Sequence, residues 1–69
     1  MQRTAVESSN IASIGYDSDT QTLEIEFMNG SIYQYFDVPR SQYEALMGAG
    51  SLGEYFNSNI KGYYRYARL

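Results

Sequence analysis

The sequence predicts an α+β fold: a three-stranded antiparallel meander, then two short helices, then a C-terminal strand or extended tail (β-β-β-α-α-β). Three observations carry this reading. Residues 22–28 alternate apolar with charged side chains and run straight into Asn29-Gly30, a strong short hairpin signal. After Pro39 the apolar spacing changes to three and four residues. Residues 63–69 then return to strand-forming tyrosines.

Taken in order, residues 1–9 are polar and are expected to be loose. Ile11 to Tyr16 form a first strand, with Ala12, Ile14 and Tyr16 on one face at period two. Asp17 to Gln21 are turn residues, of the kinds that bond their own backbone. In the second strand Leu23, Ile25 and Phe27 alternate with Glu24 and Glu26, which predicts one buried and one wet face. The third strand spans residues 31–38. Pro39 suits the first helical position, and Asp37 suits a cap. Tyr43, Leu46 and Met47 give the first helix its stripe, and Gly48-Ala49-Gly50 ends it. Ser51 and Glu54 form a capping-box pair for a second helix whose stripe is Leu52, Tyr55 and Phe56. Gly62 can stop that helix. An alternating tail would set Tyr64 and Tyr66 against Tyr63, Arg65 and Ala67.

The hairpin leaves two registers open. A two-residue loop at Asn29-Gly30 pairs Phe27 with Ile32; Ile32 and Phe36 then join the core, and Tyr33 and Tyr35 face out opposite Glu26 and Glu24. A three-residue loop with Gly30 in the left-handed region sets Phe27 against Ser31 and flips every side chain of the third strand. Tyr33 and Tyr35 then turn inward and Gln34 reaches solvent. The freedom of Gln34 favours the second.

At 69 residues the chain has room for one domain, residues 1–69. It contains no cysteine, histidine or tryptophan, but eight tyrosines and three phenylalanines. Packing must hold it without disulfide or zinc staples, and the aromatics are the available means. Without Cys or His there is no Ser–His or Cys–His nucleophile and no soft metal site. The carboxylates Asp17/Asp19 and Glu24/Glu26 belong to a turn and a strand, where acids are usually solvated. So short a chain rarely encloses a pocket of ~300 Å³ or more. The expectation is a non-enzyme with no metal, cofactor or small-molecule substrate. No signal-peptide pattern or long apolar run is visible, so a cytoplasmic location and no membrane span are expected.

Charge is asymmetric. Residues 1–39 set Arg3 against six carboxylates, and residues 40–69 set four cations against Glu44 and Glu54, so the halves carry −5 and +2.

Several of these residues, in this order, resemble a known family. Leu23-Glu24-Ile25-Glu26-Phe27 and Asn29-Gly30 precede Tyr33-Gln34-Tyr35 and Val38-Pro39. Ser51-x-Gly53-x-Tyr55-Phe56-Asn57, Ile60 and the basic–aromatic tail follow. The whole is similar to the KTSC domain, named for the C-terminal domain of some lysyl-tRNA synthetases and found also as short stand-alone bacterial and phage proteins. The resemblance covers about residues 6–69. It implies a domain of unknown function for which RNA binding has been proposed, with no catalytic residues. Leu52 stands where such domains often carry a basic residue.

Two functional readings follow. A small aromatic-rich surface suits a protein-interaction or accessory module, in which the tail strand extends the sheet of a partner or of a second copy. The alternative is weak binding of RNA or another single strand, with cations on phosphates and tyrosines on bases. The residues expected to make either contact are Tyr33, Tyr35, Arg40, Lys61, Tyr64, Arg65, Tyr66 and Arg68. The pI near 4.6 stands against a nucleic-acid footprint.

Overall fold

In a computed structural model describing residues 1–69, five strands lie side by side in sequence order, each antiparallel to the next. They are β1 (Thr4–Ala5), β2 (Ile11–Asp17), β3 (Thr22–Phe27), β4 (Ile32–Tyr35) and β5 (Tyr66–Arg68). Two helices, α1 (Arg40–Met47) and α2 (Leu52–Asn59), connect β4 to β5. No helix is long and apolar enough to cross a membrane.

The sheet therefore has two strands more than the expected three-stranded meander, one from the N-terminal residues and one from the C-terminal tail. The addition at the N-terminal side overturns the reading of residues 1–9 as loose: Thr4 and Ala5 pair with Ile14 and Ser13. At the other side the tail becomes β5 and pairs along β4.

The β3–β4 hairpin takes the three-residue loop. Phe27 N–H donates to Ser31 O and Gly30 N–H donates to Phe27 O, both at 2.9 Å, and Gly30 has φ +90°. That conformation suits glycine because it lacks a Cβ. The resulting register sets Ile25 opposite Tyr33, Glu24 opposite Gln34 and Leu23 opposite Tyr35. Tyr33 and Tyr35 thus share the helix-facing side with Leu23 and Ile25.

A bulge in β2 does similar work. Ile11 faces Phe27, but Ser13 already faces Glu26, so Ala12 is the extra residue. The bulge lets Ile11 enter the core beside Ile14 while Ser13 turns to the opposite face.

The core is Ile11, Ile14, Leu23, Ile25, Tyr35 and Val38 beneath Leu46, Phe56 and Ile60 from the helical layer. Phe56 meets Phe27 and Tyr35 edge-on, at ring centroid distances of 5.6 and 5.4 Å. Tyr43 of α1 stacks on Tyr16 at 4.7 Å. Ser51 caps α2 by accepting from Glu54 N–H at 3.3 Å.

Local expectations fail at two places. Asp37 does not cap α1, whose N-terminal boundary residue, Pro39, has no side-chain cap. Asp37 instead adopts φ +59° and holds Arg65 at 2.8 Å. The face carrying Glu24 is not wet: Glu24 is only 5% exposed. Arg3, brought across the sheet by β1, forms an ion pair with Glu24 and donates to Ser13 Oγ at 3.0 Å. Gln34 Nε2 donates to Glu24 Oε1, and Ser13 Oγ to Glu26 Oε1, each at 2.8 Å. Gly15 makes room for this covering segment, since a Cβ there would lie 2.6 Å from Gln2 O. Gln34 consequently belongs to a polar network rather than to open solvent.

Candidate binding groove

On the helix-facing side an open groove of about 480 Å³ lies between the β3–β4 end of the sheet and the C-terminal part of α2. Its walls are aromatic: Phe27, Tyr33, Tyr35, Phe56 and Tyr66. The polar lining is Asn10, Asn29, Ser31, Asn57 and Lys61. None of the chain's eight carboxylates lines it, although the protein as a whole is acidic.

The tyrosines are positioned by strand pairing. Tyr35 and Tyr66 are direct neighbours across β4 and β5, with rings 5.9 Å apart. Tyr33 lies 6.4 Å from Tyr35 and 5.9 Å from Tyr66. Arg68, opposite Tyr33 in the ladder, places its guanidinium 5.9 Å from the Tyr33 ring centroid. All three tyrosines lie on one face: the three-residue loop turns Tyr33 and Tyr35 to that side, and the β4–β5 ladder sets Tyr66 beside them.

Tyr35 has an unusual position among these. The residue is 5% exposed, yet its hydroxyl has no hydrogen-bond partner in the protein. Every fully enclosed side-chain polar atom does have one. The hydroxyl of Tyr35 must therefore emerge where the residue meets solvent, and that is the groove. Burial, and then the neighbouring Tyr33 and Tyr66, push its pKa up to about 12, so it stays a donor at neutral pH. Elsewhere Tyr16 donates to Val38 O, Tyr55 to Gln42 Oε1, and Tyr64 accepts from Gln42 Nε2.

The structure brings together five of the eight residues expected to make contact. Tyr33, Tyr35, Lys61 and Tyr66 line the groove, and Arg68 lies over the Tyr33 ring. The other three lie apart. Arg40 pairs with Glu44 one turn along α1. Arg65 pairs with Asp37 and packs over Phe36. Tyr64 is half-buried against Gln42. Asn10, Phe27, Phe56 and Asn57 were not anticipated as groove residues. Phe27 and Phe56 look like core in the sequence, and the one available signal for the others is the Ser51-x-Gly53-x-Tyr55-Phe56-Asn57 element. Gly53 allows α2 to approach Asn10, whose Oδ1 would lie 2.8 Å from a Cβ at that position.

No three acidic side chains come together as a metal site. Glu24 and Glu26 instead share Arg3. Burial works against the charge on Glu24, but hydrogen bonds from Gln34 and Arg3 and the Arg3 charge outweigh it, so its pKa lies below the ordinary glutamate value.

The family model of the KTSC domain matches residues 7–64. The chain belongs to the KTSC domain family. A crystal structure of a KTSC domain protein from Yersinia pestis superposes with a TM-score of 0.94 at 43% identity, covering 99% of this chain and 96% of that one. An uncharacterized protein of Stutzerimonas stutzeri is 46% identical over 70 residues, spanning 100% of this chain and 99% of its own length. A lysine–tRNA ligase of Nostoc punctiforme is 48% identical over 63 residues, which are 91% of this KTSC chain but 11% of the ligase. The same unit thus occurs both as a short protein and as a small part of a large enzyme.

Proposed function

We propose that this KTSC domain is a non-catalytic binding module that receives an extended, acidic and aromatic segment of a partner protein in the tyrosine groove. The observation that carries this reading is the Tyr35 hydroxyl. It is a fixed donor on a nearly buried ring, unused by the protein and opening into a groove without carboxylates. Aromatic walls offer area and edge-to-face contacts to an apolar ring. Lys61, Arg68 and the Tyr35 hydroxyl offer donors to a carboxylate. Tyrosine and arginine are the side chains most often found at the energetic centre of protein interfaces.

A second reading, single-stranded RNA on the same surface, draws support from Lys61 and Arg68, which have no acidic partner and sit beside stackable rings. It is the weaker reading, because Arg40 and Arg65 are held by Glu44 and Asp37 and the chain carries −3 overall.

Amide NMR of the labelled protein separates the two. The probes are a capped pentapeptide, threonine–glutamate–threonine–phenylalanine–threonine, and an octamer of uridylate. The protein reading expects the peptide to shift Asn57, Lys61 and Tyr66 amides. It is overturned if the peptide leaves them unmoved at millimolar concentration. Salt-sensitive shifts with the octamer at Lys61, Arg65 and Arg68 would then favour RNA.

A further inference from the structure

The groove ends at an open sheet edge. β5 is the last strand, and nothing in the protein pairs with its outer side. In an antiparallel ladder, successive residues alternate between exchanging bonds with the neighbour and pointing away. On the β4 side the bonds run from Phe36 N–H to Arg65 O, at 2.9 Å, and from Leu69 N–H to Ile32 O, at 2.8 Å. Between them the bonded pair is Gln34 with Ala67. The N–H and C=O of Tyr66 and of Arg68 therefore point outward, while their side chains lie on the groove face with Tyr33 and Tyr35. One short strand thus presents four free backbone groups and, on the same two residues, an aromatic ring and a guanidinium.

We infer that the partner segment binds by adding a sixth, antiparallel strand to β5, with an acid and an aromatic residue two positions apart. This rests on the protein-binding reading above and specifies its partner. Antiparallel addition continues the pattern of every neighbouring pair in the sheet. Residues directly opposite each other in such a pair share a face. A carboxylate opposite Arg68 and a ring opposite Tyr66 then both stand on the groove side. Because the added strand runs opposite to β5, the acid comes first: acid-x-aromatic. The intervening side chain lies beside Ala67 on the far face, where little restricts it.

The charge pattern also selects against the wrong occupant. A second β5 would line up two copies of Arg65 and Arg68 along one edge with no acidic side chain among them, and charged side chains are a common means of keeping sheet edges from pairing with themselves. A strand that carries a carboxylate meets no such barrier.

The test uses the intact chain and the pentapeptide with glutamate second and phenylalanine fourth. Two N-methylated forms are compared with it, one methylated at glutamate and phenylalanine, the other at the threonines between and flanking them. Strand addition expects binding to fall about tenfold or more in the first and to change little in the second. It also expects slowed hydrogen exchange at the Tyr66 and Arg68 amides on saturation. Groove shifts with equal binding of both methylated forms and no added protection overturn strand addition but leave the protein-binding reading standing. No groove shift with any peptide overturns both. A concentration-dependent dimer that protects those two amides without peptide overturns the choice of a foreign strand in favour of a second copy.

Discussion

The two faces of the sheet are built from the same alternation but treat polar atoms differently. On the Glu24 face each buried polar group is answered from within the chain: Arg3, Ser13, Gln34 and Glu26 close a network around one carboxylate. On the tyrosine face the ring of Tyr35 is buried, but its hydroxyl bonds nothing in the protein and looks into an open groove. A completed network serves stability, because each member would be costly if left alone. An incomplete one adds nothing to stability and is what a ligand can complete. The contrast expects substitutions in the Glu24 network to change stability and leave peptide binding alone, and loss of the Tyr35 hydroxyl or of Arg68 to do the reverse.

The largest effect should come from Arg3→Ala. It leaves the Glu24 carboxylate, 5% exposed, with only Gln34 as a partner. Stranding a buried charge costs about 3 kcal/mol, read as a shift in the urea midpoint. Peptide affinity should stay within a factor of two. The same pair sets an acid limit. Since the folded pKa of Glu24 lies below its unfolded value, its contribution is complete above the unfolded value of roughly 4.3. It is lost as the pH falls through the folded value. Glu24→Gln should therefore flatten the decline in stability below about pH 4.3 in acid titrations.

Two tyrosine-to-phenylalanine substitutions, both on the helix-facing side, set a hydroxyl the protein uses against one it leaves free. Tyr16→Phe removes the bond to Val38 O and should cost about 1 kcal/mol with no loss of peptide binding. Tyr35→Phe removes a hydroxyl that bonds nothing in the protein and should alter stability by less than about 0.5 kcal/mol. It should weaken the pentapeptide about tenfold, the usual scale for one hydrogen bond to a carboxylate. Equal stability losses in the two variants would show that Tyr35, like Tyr16 on the same face, is a packing residue, and the groove would hold no unused donor.

What could be read in the sequence follows the same division. Local chemistry was legible: the alternation of β3, the Asn29-Gly30 turn, the Ser51 cap and the stripes of both helices are each written in a few adjacent residues. The shared facing of Tyr33 and Tyr35 was also within reach, because it depends on one loop. Long-range partners were not legible. Glu24 looked solvated because its alternation is that of a half-exposed strand; the cover comes from Arg3, 21 residues away, on a two-residue strand with no apolar signal. Asp37 looked like a cap because acids before helices commonly are, yet Arg65 lies 28 residues further on and takes it. Phe27 and Phe56 read as core, and no local pattern distinguishes an aromatic that closes a core from one that also walls a groove.

The smallest expected effect separates the two arginines that bracket β5. Arg65 and Asp37 are 75% and 72% exposed, and such pairs contribute little, so Arg65→Ala should move stability by no more than about 0.5 kcal/mol. Arg65 also lies outside the groove, and peptide affinity should stay within a factor of two. Arg68→Ala should be equally mild for stability, since Arg68 forms no ion pair, but it removes the cation opposite the peptide's acid. Its loss should be concentrated in peptides that carry the carboxylate and nearly absent in a glutamine version of the same pentapeptide. If Arg65→Ala and Arg68→Ala weaken both peptides alike, the arginines act only as bulk charge, and the register that places the acid opposite Arg68 is wrong. If the loss appears at Arg68 alone and only with the acid, the tyrosine face reads its ligand by position, as the Glu24 face reads Arg3.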